Sequence, residues 1–513
     1  MVFTSLEFLA FFPIVVALYF LLPARTRWVQ LLIGSYYFYM AWKPVYALLL
    51  LFSTVSFYLA AIGVDTVTHA AKRKAIFFLA IGANLGMLFA FKYYNFFEDE
   101  FNEYAQHAGM GLRIPALDVL LPMGISFYTF QGISYLVDVY RRDMPAERHL
   151  GLLLLYKAFF PQLVAGPIER GTHFLPQLRS HLVDRTAGSV IRFEYDRVVS
   201  GLRLMLLGFF KKIVLADNFA LIVQPVYAAP DEFSSASAVV ATLAFTFQIF
   251  FDFSAYTDIA RGISRILGFE LIENFRRPYF ATSIADFWQR WHISLSSWFR
   301  DYLYIPLGGN RVARWRWFLN LWIVFLLCGL WHGANWTFLI WGALHGFYYF
   351  LTYVISPPAR WAARLSGLAR LPGLCRTIQI VFTFSLVVWA WVMFRAENLP
   401  QALAIWAKIL EAPVDLWQYA SLLAQRSAGW APVQALGLQW LVVQSERNTM
   451  LPVYIALLTF AYLLVSHRVR NEDDGPAFAR WSAVARWSSY LFALVSIIVL
   501  GRFGTQTFIY FQF

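Results

Sequence analysis

The strongest constraint on this chain is that apolar runs of near membrane-spanning length recur from its first residues to its last. A helix needs about 20 apolar residues to cross ~30 Å of hydrocarbon. Runs of that order lie near residues 6–22, 29–45, 46–64, 75–92, 117–139, 204–228, 236–256, 317–331, 336–355, 378–395, 450–466 and 487–501. Only 14% of the 513 residues are charged, against roughly 25% in an ordinary soluble domain. The 50 Phe, 27 Tyr and 20 Trp suit membrane interfaces and close helix packing. These features exclude a soluble enzyme and predict an all-α polytopic membrane protein of about 11–13 crossings.

The basic residues set the expected orientation. Lys and Arg exceed Asp and Glu by 12, the excess that cytoplasmic loops carry. No basic block separates from the apolar runs, so nucleic acid is not expected as a partner. Arg25 and Arg27 follow the first run, and Lys72, Arg73 and Lys74 follow the third. Both groups belong inside, with a hairpin broken at Trp42–Lys43–Pro44 between them. Glu98, Asp99, Glu100 and Glu103 then fall outside, and Arg141–Arg142 inside. The first run begins near Leu6 with no basic residue before it, which reads as a spanning helix rather than a cleaved signal. Twelve crossings place both termini outside.

Three segments break the pattern. Residues 150–165 are short, sit between basic loops and end in Pro161 and Gly166–Pro167. They read as re-entrant, which requires surrounding protein or a cavity. Residues 268–316 carry seven arginines, Arg276 and Arg277 among them, between many aromatics. They read as amphipathic helices on the cytoplasmic face. Residues 396–449 contain Pro400, Pro413 and Pro432 and read as an outer-face loop or small helical cap. The two cysteines, Cys328 and Cys375, form no CxxC, so neither a disulfide framework nor a metal site is expected.

Polar residues inside apolar runs are costly and so are candidates for chemistry. His332 lies in Cys328-Gly329-Leu330-Trp331-His332-Gly333-Ala334-Asn335 with apolar runs on both sides. Gly329 and Gly333 are four apart, which lets a backbone or a ligand approach. A neutral imidazole there can accept a proton as a general base. On position alone a structural histidine hydrogen-bonded between helices fits as well. His292 follows Ser283, Asp286 and Arg290. Ser283 with Asp286 resembles a capping box, and Asp286 with Arg290 suits an i,i+4 pair. That predicts a helix from Ser283 with His292 about 2.5 turns in, in a structural or interfacial role. His345, thirteen residues past His332, is secondary. Asp252 is expected to pair with Arg261 or with the arginine-rich segment. Lys211–Lys212 reads as an ordinary cytoplasmic helix end.

These stretches resemble the membrane-bound O-acyltransferase family, in its bacterial exopolysaccharide-acetylating branch. The resemblance rests on Met123-Gly124-Ile125-Ser126-Phe127, Phe160-Pro161-Gln162-Leu163-Val164-Ala165-Gly166-Pro167, Phe251-Asp252-Phe253-Ser254, Trp291-His292-Ile293-Ser294-Leu295-Ser296, Gly308-Gly309-Asn310-Arg311, Leu330-Trp331-His332-Gly333-Ala334-Asn335 and Met393-Phe394-Arg395. It covers most of residues 1–400 and little beyond 401. The family pattern is broken at Ala255, where Gly is expected, and at Leu344, where Trp is.

What the resemblance implies is specific. The fold is a ring of tilted helices around a central tunnel. The whole chain is one integral membrane domain, with a core at 1–400 and outer-face helices plus the last two crossings at 401–513. His332 matches the family's catalytic histidine, and His292 its second polar position. Trp331, Asn335, Trp291, Ser296, Asp252, Arg276, Arg277 and His345 are candidates to line the substrate path. The implied reaction is acetyl transfer from a cytoplasmic thioester, acetyl-CoA as substrate with no bound cofactor. The polymer is alginate first, with cellulose and peptidoglycan as alternatives. A periplasmic acetyltransferase and the polymer's synthase or export complex would be the partners, and the bacterial inner membrane the location. The rival reading is a transporter or scaffold subunit of a polysaccharide synthase without acyl chemistry. The absence of an internal repeat counts against it.

Overall fold

The computed structural model describes residues 1–184, 191–423, 451–468, 481–503 and 508–509. Its helices, in chain order, are α1 (Leu6–Leu21), α2 (Arg27–Met40), α3 (Ala47–Thr66), α4 (Ala70–Leu88), α5 (Tyr94–His107), α6 (Ile125–Arg141), α7 (Leu150–Ala158), α8 (Gly171–Arg179), α9 (Tyr195–Phe209), α10 (Asp217–Ala228), α11 (Ser235–Ile266), α12 (Ile284–Trp288), α13 (Ile293–Phe299), α14 (Arg314–His332), α15 (Trp336–Leu365), α16 (Pro372–Arg395), α17 (Leu399–Leu423), α18 (Leu451–Arg468) and α19 (Ala483–Leu500). Six stretches are both long and apolar enough to cross a membrane: Pro44–Thr66, Ala70–His107, Ser235–Ile266, Trp336–Leu365, Pro372–Arg395 and Ala483–Leu500. The chain is a multi-pass membrane protein. Several other expected crossings fall on helices under 18 residues, such as α1, α2 and α6. The crossing expected at 204–228 is interrupted by a π turn at Phe210–Ala216.

The chain divides into two compact units, and the boundary cuts α9, α11 and α13. The first comprises Met1–Gly208, Tyr256–Glu273 and Ser297–Leu303. There α7, at nine residues, is roughly 14 Å long and too short to span. The irregular chain from Phe159 to Glu169 that follows it is buried. Buried backbone needs partners, and the sequence supplies them. Ser35 Oγ accepts from Phe160 N at 3.2 Å, Gln162 Nε2 donates to Tyr156 O at 2.6 Å, and the Tyr156 hydroxyl donates to Glu169 O at 2.8 Å. This short helix and buried turn fit the segment expected to be re-entrant.

The helix expected from residue 117 starts only at Ile125. Pro115 and Pro122 break the preceding stretch. Gly124, at the helix start, has φ +75°, a conformation that a side chain disfavours. The extended residues are held by side chains instead. Asn95 exchanges two 2.9 Å hydrogen bonds with the Leu117 backbone, and the Tyr46 hydroxyl donates to Leu120 O at 2.6 Å.

The second unit comprises Phe209–Ala255, Asn274–Ser296 and Tyr304–Phe513. Its central hairpin is α14 and α15, joined by Gly333–Ala334–Asn335. Asn335 caps α15 by accepting from Thr337 N at 3.0 Å. The pair packs backbone to backbone. A Cβ on Gly329 would run into the Phe338 carbonyl and lie 3.4 Å from Gly342 Cα, and one on Gly342 would meet the Phe325 carbonyl. Gly329 thus admits a neighbouring helix rather than a ligand. Residues 399–423, expected as loop or cap, form the 25-residue α17. Asn398 accepts from Gln401 N at 2.9 Å, and Pro400 falls in the first turn, where its missing N–H costs nothing. The rest of that stretch, 424–449, lies outside the described residues.

Candidate active site

Every sequence-nominated site residue belongs to the second unit. His332 is the last residue of α14. Its ring stands edge-on to Trp341 at 5.1 Å between centroids and to Phe394 at 5.1 Å, with Trp331 4.9 Å away. His292 lies on the other side of Trp331, at 5.8 Å, and against Phe253 at 4.6 Å. His345 is 4.9 Å from Trp341 and 5.0 Å from Trp288. Three buried histidines are therefore linked through two tryptophans, in the order His292, Trp331, His332, Trp341, His345. Trp291 extends the aromatic wall, 5.0 Å from Trp391, which in turn stacks on Trp341 at 5.9 Å.

The backbone around His292 differs from the expected continuous helix. Ser283 does cap a helix, accepting from Asp286 N at 3.1 Å. Asp286 pairs with Arg290 at 2.6 Å, as its spacing predicts. The helix nevertheless ends at Trp288. Arg276 N donates to Arg290 O at 2.9 Å, Ile293 N to Asn274 O at 3.0 Å and Ser294 N to Asn274 Oδ1 at 3.1 Å. These long-range bonds replace helical ones, and His292 sits at φ +43° just before α13. A non-glycine residue held there is strained, and such strain concentrates at functional sites. Ser296 turns back on the same loop, its hydroxyl donating to Trp291 O at 3.1 Å.

His292 lies outside the membrane-spanning helices, and burial pushes its imidazole down to about 3. It is neutral in the folded protein at any working pH. Below about pH 6.5 the unfolded chain takes up a proton at this residue and the folded chain does not. Stability from this residue is therefore complete above about pH 6.5 and falls as the pH drops toward 3. The loss of thermal stability between neutral and mildly acid pH should be shallower in His292→Gln than in the unaltered protein. Parallel curves would mean that His292 titrates while folded.

The remaining candidates lie away from the histidine–tryptophan chain or hold the backbone. Asn335 caps α15, and its Nδ2 donates to Glu397 O at 2.8 Å. Arg276 is exposed, whereas Arg277 is half-buried at φ +49° beside a small cleft lined by Phe250, Tyr279 and Tyr462. Asp252 pairs with Lys212 at 2.6 Å, and Lys212 also reaches Asp217 at 2.8 Å. Lys211 and Lys212 are therefore no exposed helix end: both are buried. A π turn folds them inward, where the two aspartates meet Lys212. Asp252 also accepts from Ile509 N at 2.7 Å.

Sequence reasoning missed Trp288, Trp341, Trp391 and Phe394. Trp341 was legible, since it precedes His345 by four residues and Phe338 precedes it by three, which puts all three on one helix face. Trp391 and Phe394 come from α16, and nothing local in the sequence ties them to His332.

A family model described as "MBOAT, membrane-bound O-acyltransferase family" matches residues 149–392, which include both His292 and His332. The chain is similar to a protein of Pseudomonas putida described as "Probable alginate O-acetylase AlgI", at 36% identity over 534 residues and the full length of both chains. A protein of the same description from Pseudomonas aeruginosa is 41% identical over 432 residues, 82% of this chain and 77% of its own. The "Peptidoglycan O-acetyltransferase" of Helicobacter pylori is 35% identical over 444 residues, 80% of this chain and 79% of its own. The chain belongs to the membrane-bound O-acyltransferase family. It is an acyltransferase of the membrane.

Proposed function

We propose that this protein passes acetyl groups from a cytoplasmic thioester, acetyl-CoA, across the bacterial inner membrane for O-acetylation of an exopolysaccharide. Alginate is the first candidate polymer, on the names of the two Pseudomonas relatives. Peptidoglycan is the second, on the name of the Helicobacter relative. The observation that carries the reading is His332: a buried imidazole ending α14 inside an aromatic cage, within a chain of this family. His332 acts as general base. It takes the proton of an acceptor hydroxyl as that oxygen attacks the thioester carbonyl, then returns it to the departing thiolate. His292, neutral and fixed by its loop, orients groups on the same path. The exposed Arg276 and its neighbour Arg277 favour the phosphates of the donor. The acceptor is a hydroxyl of a periplasmic acetyltransferase, which then esterifies the sugar, and both termini of this chain lie on that side.

Deletion of the gene separates this reading from a transporter or scaffold role. A strain lacking the protein should make and export its polymer at normal yield without acetyl ester, measured as base-labile acetate per uronic acid. Loss of the polymer itself would favour the rival.

A further inference from the structure

Acyl transfer through a tetrahedral intermediate needs more than a base. As the hydroxyl oxygen bonds to the carbonyl carbon, the carbonyl π pair moves onto oxygen and must be held by hydrogen-bond donors. His332 supplies none for this purpose while it is accepting a proton. One candidate donor stands beside it and a second one ring further on. Trp341 is fully buried at the centre of the cage, and its indole Nε1–H has no hydrogen-bond partner. An indole N–H can only donate, and a buried donor left unpaired is rare enough to require a reason.

The second donor follows from a tautomer. Trp288 Nε1–H donates to His345 Nδ1 at 3.3 Å. Because the indole cannot accept, that ring nitrogen carries no proton. In the neutral ring the proton is therefore on Nε2. His345 is fully buried, and its Nε2 also has no hydrogen-bond partner. Two N–H groups without acceptors thus belong to rings 4.9 Å apart, and one of those rings stands edge-on to His332. Trp341 and His345 share a face of α15, four residues apart, and Trp288 fixes the orientation of the second ring.

We propose that Trp341 Nε1–H and His345 Nε2–H form the oxyanion-binding pair of this acyltransferase. The inference rests on the acyl-transfer reading above and extends it. The attacking oxygen forms its bond to the carbonyl carbon, His332 takes its proton, and the developing oxyanion is held by the two N–H groups. When the carbonyl re-forms, the C–S bond breaks and the thiolate receives the proton from His332. No other reactant is needed. Trp288 is a positioning residue, acting through the His345 tautomer.

The test uses the purified full-length protein in detergent, with acetyl-CoA as donor and thiol release as the readout. Trp341→Phe keeps an aromatic ring in the cage but removes the N–H. Its kcat should fall by about 10²–10³-fold, the usual loss of one oxyanion donor. KM for acetyl-CoA should be unchanged, while the thermal midpoint falls modestly because the smaller ring leaves a cavity. His345→Leu should show the same split, and His345→Gln, which restores an amide N–H, should recover part of it. A Trp341→Phe protein with normal kcat, in an assay where His332→Ala is inactive, would overturn the oxyanion pair and leave the His332 reading intact. If the orphan N–H groups merely hold a water, both variants keep their kcat, with the same consequence. An active His332→Ala protein would instead overturn the reading beneath.

Discussion

A strain carrying His332→Ala should make exopolysaccharide with no measurable acetyl ester while holding the protein in its membrane at the normal level. General-base assistance is worth about 10²–10⁴-fold, so the residual rate falls below what a steady-state ester assay resolves. The variant should fold, because His332 is the last residue of α14. The hairpin is held by the close backbone approach at Gly329 and Gly342 and by the Asn335 cap. His332→Gln keeps most of the side-chain volume and a hydrogen-bonding end but has no basic nitrogen. It should be as inactive as the alanine variant. Undiminished ester in either strain, at normal protein level, would remove His332 from the mechanism.

The largest expected effect on stability lies at Lys212. Its ammonium bridges Asp217 and Asp252, and all three side chains are buried. Removing one partner of a buried ion pair typically costs about 3–5 kcal/mol, because the charge left behind has neither water nor a counter-ion. Lys212→Met leaves two carboxylates facing each other and should lie at the upper end of that range. Asp252 also accepts from Ile509 N, so a shift of its side chain would loosen that contact as well. The thermal midpoint in detergent should drop sharply. The double variant Lys212→Met with Asp252→Asn should recover much of the loss, since it leaves one buried charge fewer. An unchanged midpoint in Lys212→Met would show that the site is wet and its charges screened.

Much of this architecture was legible because the membrane makes sequence patterns strict. The break at Pro44 and the Ser283 cap were placed correctly by local rules, and the short 150–165 run was recognisably no crossing. What escaped was set by long-range contacts. The helix from Ser283 stops at Trp288 because Asn274 and Arg276, remote in sequence, take the backbone groups that a longer helix would use. Lys211 and Lys212 read as a helix end because Asp252, the partner of Lys212, lies forty residues away on α11. Residues 399–423 read as a loop or small helical cap because prolines there are read as breakers, and they form a longer helix because Pro400 sits where a helix tolerates it. At the site, the motifs pointed to His332, His292, Trp331 and Trp291 but not to Trp288, Trp341 and Trp391. In a chain with 20 tryptophans, those three do not stand out until the fold places them around the imidazoles.

The most direct measurement of the central claim is thiol release from acetyl-CoA by the purified protein, with and without His332. The unaltered protein should release CoA thiol in proportion to acetyl ester formed on an added acceptor, and His332→Ala should release none above the spontaneous rate. Equal thiol release by the two proteins would contradict the assignment of His332 as the base of this acyltransferase.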